Sequence, residues 1–214
     1  MTRDLVAFTP WPHHLAARYR ARGYWTGRPL CHGAEAQAKA RPDGLHQALP
    51  EDRVLVADLG RFVTTAWRNL PVLAPNDLVF TSHFGSIGVG LGHAIGAAAA
   101  APGRPTVMVA GDGGFLLSGL SELASVRRES LPLVMIICND GSYGAEHVQF
   151  RNRGMEPGLS MIGGHDFAAI AAAMGIEALR VTDADSLEQA AALLAAPQGP
   201  VLIDLCLDPE RIEM

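Results

Sequence analysis

From Arg53 onward, short continuous apolar runs alternate with segments whose apolar residues recur at helical spacing. The runs at 54–57, 78–81, 106–110, 133–138, 176–181 and 201–207 predict strands. They are apolar throughout instead of alternating with polar residues, the pattern of strands buried on both faces. The segments 62–70, 88–101, 119–129, 166–174 and 186–196 predict helices, with Asp166 and Ser186 as N-caps and Pro102-Gly103 and Pro197 to Pro200 as stops. Strand and helix in alternation predict an α/β fold: a three-layer α/β/α arrangement around a mostly parallel six-stranded sheet.

Before that pattern begins the chain reads differently. Residues 11–24 are aromatic and Arg-rich, and 30–44 form a Gly/Ala/Pro-containing connector without strand periodicity. The expected organisation is an N-terminal extension and connector over 1–44 and one domain over 45–214.

Composition narrows the chemistry. A chain that is 49% hydrophobic and 18% charged can bury a core. Its net charge of -5, without a basic run, argues against nucleic acid and anionic membrane as partners. The single lysine, Lys39, excludes a Walker loop and leaves no good Schiff-base candidate. Cys31, Cys138 and Cys206 form no Cys-x-x-Cys pair, so neither a disulfide framework nor a zinc knuckle is expected. A reducing cytoplasm fits this usage, and no apolar run approaches the roughly 20 residues of a membrane span.

In open α/β sheets ligands bind beyond the carboxyl ends of the strands. Four loops there combine glycine with short oxygen-bearing side chains: Asp58-Leu-Gly60, His83-Phe-Gly-Ser-Ile-Gly88, Gly111-Asp-Gly-Gly114 and Asn139-Asp-Gly-Ser-Tyr-Gly144. Asp112 and Asn139 follow neighbouring strands and offer a carboxylate and an amide oxygen. Hard oxygen donors at low count suit Mg²⁺, which keeps waters and takes substrate phosphate oxygens as further ligands. A helix starting after Gly114 would add its N-terminal N–H groups toward the same phosphate. Asp-Gly and Asn-Asp-Gly are also ordinary turn formers, and either motif alone is explained by that role.

Taken together, Gly111-Asp112-Gly113, the 25 residues 114–138 and then Asn139 resemble the signature of the diphosphate-binding domain of thiamine diphosphate enzymes of the pyruvate decarboxylase, benzoylformate decarboxylase and acetolactate synthase group. The resemblance covers roughly residues 45–208, through the ending Gly199-Pro-Val-Leu-Ile-Asp-Leu. It implies thiamine diphosphate and Mg²⁺ as cofactors, with the Asp112 and Asn139 side chains and the Gly141 carbonyl as metal ligands. Gly111, Gly113 and Gly114 would bring backbone to the diphosphate, Asp58, Gly60 and Arg61 would flank it, and Ser142 and Tyr143 would complete the cofactor site. In the same family the glycine matched by Gly85 accepts a hydrogen bond from the aminopyrimidine, and the position of Ile87, past Ser86, carries an apolar wedge beneath the bent cofactor. Such support holds the reacting groups close. Gly85 and Ile87 are accordingly the two catalytic candidates.

The resemblance also implies something this sequence does not supply: a pyrimidine-binding domain whose glutamate activates the cofactor. A separate pyrimidine-binding subunit is therefore the expected partner, in a dimer or hetero-oligomer, with a small 2-oxo acid as substrate. The expected reaction is decarboxylation of that acid or joining of the resulting acyl unit to another carbonyl compound. The alternative is a non-catalytic cofactor-binding or regulatory module left after loss of the pyrimidine domain. Some decarboxylases of the group place a glutamate shortly after the metal loop; here Ala145 holds that spacing and Glu146 falls one residue beyond it, reading as a solvated helix position. His83, His93, His147 and His165 read first as structural. Separately, residues 8–30, with Phe8-Thr-Pro-Trp-Pro and Ala17-Arg-Tyr-Arg-Ala-Arg-Gly-Tyr-Trp, resemble the opening of aryl-acid AMP ligases. That stretch carries no adenylation motif and points only toward a natural-product pathway.

Overall fold

Six strands form the sheet of the computed structural model, which describes residues 44–207 and 209: β1 (Val54–Ala57), β2 (Leu78–Phe80), β3 (Thr106–Gly111), β4 (Leu133–Asn139), β5 (Glu177–Val181) and β6 (Val201–Cys206). Their order is β2-β1-β3-β4-β6-β5 and every pair is parallel. The helices are α1 (Gly44–Ala48), α2 (Val63–Asn69), α3 (Gly90–Ala100), α4 (Asp112–Ser118), α5 (Leu123–Glu129), α6 (Gly144–Asn152), α7 (Phe167–Ala173) and α8 (Ala184–Ala195). Among the described residues none is long and apolar enough to cross a membrane.

The continuous apolar strands have the cause expected of them. On one face Val107, Val109, Val134, Ile136 and Ile203 pack beneath α1, α2 and α8 through Leu45, Ala66, Leu70, Ala190 and Leu194. On the other, Val56, Met108, Met135, Ile137 and Leu202 meet α3, α5 and α7 through Leu91, Ala94, Val126, Phe167 and Ala171. Both sets are buried, each large side chain contributing about 2 kcal/mol of transfer free energy. The three-layer α/β/α prediction is therefore met, with a sheet that is wholly parallel.

Differences lie at boundaries. Asp166 caps α7 by accepting the Ala169 N–H, as expected. Ser186 instead stands in the first turn of α8, where it completes a capping box with the true cap, Asp183. The helix expected over 119–129 is a short 3₁₀ turn, Leu120–Glu122, followed by α5. The helix near Gly114 starts earlier than expected, at Asp112, so both following glycines lie in its first turn. The extension resembling AMP ligases falls outside the described residues.

From β1 the chain crosses to β2 on one side and then returns to β3 on the other. Strand order thus reverses between β1 and β3, opening a crevice at their carboxyl ends.

Candidate cofactor and metal site

Register brings the two main candidates together. Gly111 of β3 pairs with Cys138 of β4, so Asp112 and Asn139 are the next residues on adjacent parallel strands. Asp112 opens α4 and is 2% exposed, and its Oδ2 accepts the Gly141 N–H at 2.8 Å. Burial, and then the charge of nearby Asp140, push its carboxyl up to about 7, against the pull of the Gly113, Gly141 and Asp112 amides. Asp140 is also pushed upward by burial, opposed by its bonds from the Ser142 Oγ–H at 2.8 Å and N–H at 2.9 Å and by Arg61 and His147. Asp112 is therefore not the sole carboxylate at this site. Asp140 had looked like a turn former and is its electrostatic partner.

Asn139 is buried, and its Nδ2 donates to the His165 carbonyl and to Asp204 Oδ1, both at 2.8 Å. The His165 carbonyl can only accept, so the amide orientation is determined and Oδ1 is left as the acceptor. Gly141 turns the chain with φ +69°, where a side chain would be strained, and its carbonyl accepts the Ile162 N–H at 2.9 Å while keeping a second lone pair. The segment around Ser160 and Met161 closes the loop: Ser142 bridges to Met161 and the Tyr143 N–H donates to the Ser160 carbonyl at 2.8 Å.

The glycines at the start of α4 answer to close packing. A Cβ on Gly113 would stand 2.7 Å from the Tyr143 ring; one on Gly114 would stand 3.0 Å from Asp58 Oδ2 and 3.1 Å from the Gly88 nitrogen. Three loops thus converge on one helix start. Asp58 ties two of them: Oδ1 accepts the Thr81 hydroxyl at 2.8 Å and the Leu59 N–H at 2.9 Å, and Oδ2 accepts the Gly88 N–H at 2.9 Å. Its carboxylate, assigned by resemblance to the diphosphate side, is committed to these internal bonds. Arg61 is also mostly buried and donates to the Pro209 carbonyl at 2.8 Å, its stem lying beside Gly144. The Phe62 ring packs against Gly60 and Gly111.

Beyond Gly88 the loop turns outward. Gly85, φ +63°, ends the 3₁₀ turn His83–Gly85 and is exposed, as is Ser86, whose Oγ–H donates to the Ile87 carbonyl at 3.0 Å; Ile87 is half-buried. The His83 and His93 rings stack behind it, and His165 packs edge-on against Phe167. Glu146 is exposed on α6, whereas His147 is buried with Nδ1 3.3 Å from the Ser160 hydroxyl. Among the described residues no three His, Cys, Asp or Glu side chains are arranged to hold a metal. What the site offers is one buried carboxylate pushed toward neutrality, one oriented amide oxygen and a turn carbonyl. That set suits a hard cation with few protein ligands.

Sequence reasoning missed Asp204, 0% exposed in β6 and hydrogen-bonded to Asn139. A lone carboxylate inside the apolar run Val201-Leu-Ile-Asp-Leu was the signal.

The family described as "Thiamine pyrophosphate enzyme, C-terminal TPP binding domain" matches residues 58–205. Benzoylformate decarboxylase of Pseudomonas aeruginosa is 32% identical over 180 residues, covering 80% of this chain and 33% of that protein. The large subunit of Escherichia coli acetolactate synthase isozyme 2 is 29% identical over 163 residues, covering 74% of this chain and 29% of its own length. Among solved structures, the thiamine diphosphate-dependent 4-hydroxybenzoylformate decarboxylase of Rhodococcus jostii superposes with a TM-score of 0.71 at 27% identity, over 85% of this chain and 34% of that one. The chain spans about a third of the length of these relatives.

Proposed function

The chain belongs to the thiamine pyrophosphate (thiamine diphosphate) enzymes, matching their C-terminal TPP binding domain, and on that premise we propose that it is the diphosphate- and Mg²⁺-binding subunit of a two-chain enzyme. With a pyrimidine-binding partner it decarboxylates a small 2-oxo acid or performs acyloin or acetolactate-type carboligation. The observation that carries this reading is Asp112: a 2% exposed carboxylate, pressed by a second carboxylate, beside an amide oxygen fixed in orientation. A divalent cation between them balances the charge that burial leaves costly.

In this reading Asp112, Asn139 and the Gly141 carbonyl hold Mg²⁺. The Gly113 and Gly114 amides at the start of α4, with Gly111, would bring backbone to the diphosphate, and Gly60 and Arg61 would support the neighbouring loop. Ser142 and Tyr143 line the cofactor. Gly85, with Ser86, would present backbone to the aminopyrimidine, and the Ile87 side chain would support the bound cofactor. The bound cofactor supplies carbanion stabilisation. This chain's residues bind it, orient it and set its geometry.

The test is calorimetry on the full chain. Thiamine diphosphate binding is expected to require Mg²⁺ and to be abolished by Asp112→Ala; unchanged affinity in that variant overturns the metal assignment. Turnover of 2-oxo acids is expected only once a pyrimidine-binding partner is added. Turnover by the chain alone refutes the two-chain arrangement, and binding that never yields turnover with the partner favours a non-catalytic module. Ile87→Ala is expected to keep binding and lose turnover.

A further inference from the structure

Asp204 occupies the middle of β6, on a strand whose other residues are apolar, and is 0% exposed. A carboxylate there needs a compensating reason, because burial favours its neutral form. Its partners supply one. Oδ1 accepts the Asn139 Nδ2–H at 2.8 Å, Oδ2 accepts the Phe167 N–H at 3.1 Å, and Arg180 Nε stands 3.7 Å away. The second Asn139 hydrogen goes to the His165 carbonyl at 2.8 Å, just before α7. Two acceptors therefore grip the two amide hydrogens of one side chain. An amide so held has one orientation, and its oxygen lies away from β6.

We propose that Asp204 is a positioning residue for the metal: by accepting from Asn139 it fixes that side chain so that Oδ1 alone faces the cation. The inference rests on the reading of Asn139 as a Mg²⁺ ligand and adds a residue outside that ligand set. A merely structural carboxylate would need only Phe167 and Arg180. The bond to Asn139 ties β6 to the carboxyl end of β4, where the ligand sits. Replacing the acid by an amide puts an N–H₂ group against either the Asn139 N–H₂ or the Phe167 N–H. In the first case Asn139 either keeps the N–H₂ to N–H₂ clash or flips, which turns its own N–H₂ toward the cation and sets its Oδ1 against the His165 carbonyl, so the ligand is misplaced or strained either way.

The experiment titrates Mg²⁺ into the full chain at fixed thiamine diphosphate and follows cofactor binding by calorimetry. It compares wild type, Asp204→Asn, Asp204→Leu, Asn139→Ala and the Asp204→Asn/Asn139→Ala double variant, with ligand-free melting curves alongside. Asp204→Asn is expected to raise the Mg²⁺ concentration for half-saturation about 10- to 100-fold, the usual loss for a residue orienting a metal ligand. Asp204→Leu, which suits the apolar strand, is expected to melt cooperatively and show the same loss. The double variant is expected to bind no more weakly than Asn139→Ala alone, because Asp204 acts through Asn139. Unchanged half-saturation in folded Asp204 variants, additive losses in the double variant, or failure of both Asp204 variants to fold would each overturn the proposal. Absence of Mg²⁺-dependent binding in wild type would instead overturn the parent reading, and the proposal with it.

Discussion

The two ends of the sheet treat charge in opposite ways. At the amino end, Arg53 is fully buried and donates to the Pro50 and Pro71 carbonyls at 2.6 and 2.7 Å. Beside it Arg104 pairs with Asp77 at 2.9 Å and Asp52 at 2.7 Å, and Asp77 also accepts the Ala74 N–H. Each charge there meets its opposite or a carbonyl, and the result is a set of pinned loops. At the carboxyl end Asp58 and Asp140 in loops, Asp112 at the start of α4 and Asp204 on β6 are buried or half-buried; Arg61 and Arg180 lie near Asp140 and Asp204, but Asp112 and Asp140 repel each other. A fold gains nothing from that arrangement by itself. Charge balanced within the chain marks the end that supports the fold, and charge left to be balanced from outside marks the end that binds.

The sharpest way to break the comparison is Asp112→Asn. Asn keeps an acceptor for the Gly141 N–H but removes the charge, so the affinity for Mg²⁺ with thiamine diphosphate is expected to fall at least about 100-fold. The ligand-free chain is expected to melt about 2–5 °C higher at pH 8, since a buried, repelled carboxylate has been deleted. Calorimetry and thermal unfolding check the two halves. A variant that loses stability and keeps affinity would invert the roles assigned to the two ends. Arg53→Ala is the counterpart. Losing two charged hydrogen bonds and a filled volume is expected to lower stability by about 3 kcal/mol in urea unfolding. Affinity for Mg²⁺ and cofactor in the folded chain is expected to stay within about twofold.

Protons give a finer test. The Asp112 carboxyl is raised in the folded chain, so between the ordinary value of 3.8 and about 7 the folded state holds a proton that the unfolded state releases. The ligand-free chain is therefore expected to lose stability as pH rises through that window. The cation competes with the same proton. Affinity for Mg²⁺ is expected to fall about tenfold per pH unit below about 7, with close to one proton released on binding. Titrations in two buffers of different ionisation heat count that proton. Asp140→Asn removes the repelling charge and is expected to shift the whole profile to lower pH.

Much of this was legible in the sequence because the signals were of two strong kinds. Apolar runs bounded by Gly and Pro located all six strands, glycine with an acid or amide at their ends singled out Asp112 and Asn139, and the family resemblance added Gly141. The start of α4 was harder to place, because Gly113 and Gly114 read as loop residues; tertiary packing against Tyr143 and Asp58 holds them in helix. Helix α6 was expected only at Glu146 and not as an element, since its sequence Gly-Ala-Glu-His-Val-Gln-Phe-Arg-Asn has no clear apolar stripe. The roles of Asp58, Asp140 and Asp204 depend on which strands become neighbours. Strand order is set by crossovers, which local patterning does not encode.

The smallest expected effect has the opposite sign and belongs to the amino end. Thr106 opens β3 with a side chain 0% exposed, and its Oγ1 is buried without a hydrogen-bond partner among the described residues. Removing a buried hydroxyl that bonds to nothing recovers the cost of stripping its water, and valine has nearly the same shape and a strong preference for strands. Thr106→Val is therefore expected to stabilise the chain by about 1 kcal/mol in urea unfolding, with Mg²⁺ and cofactor affinity unchanged. If it destabilises instead, the hydroxyl serves a bond in solution, and the amino end is more fully satisfied than its charged groups alone indicate. If it weakens Mg²⁺ binding, strain passes along β3 from Thr106 to Asp112, and the two ends do not act independently.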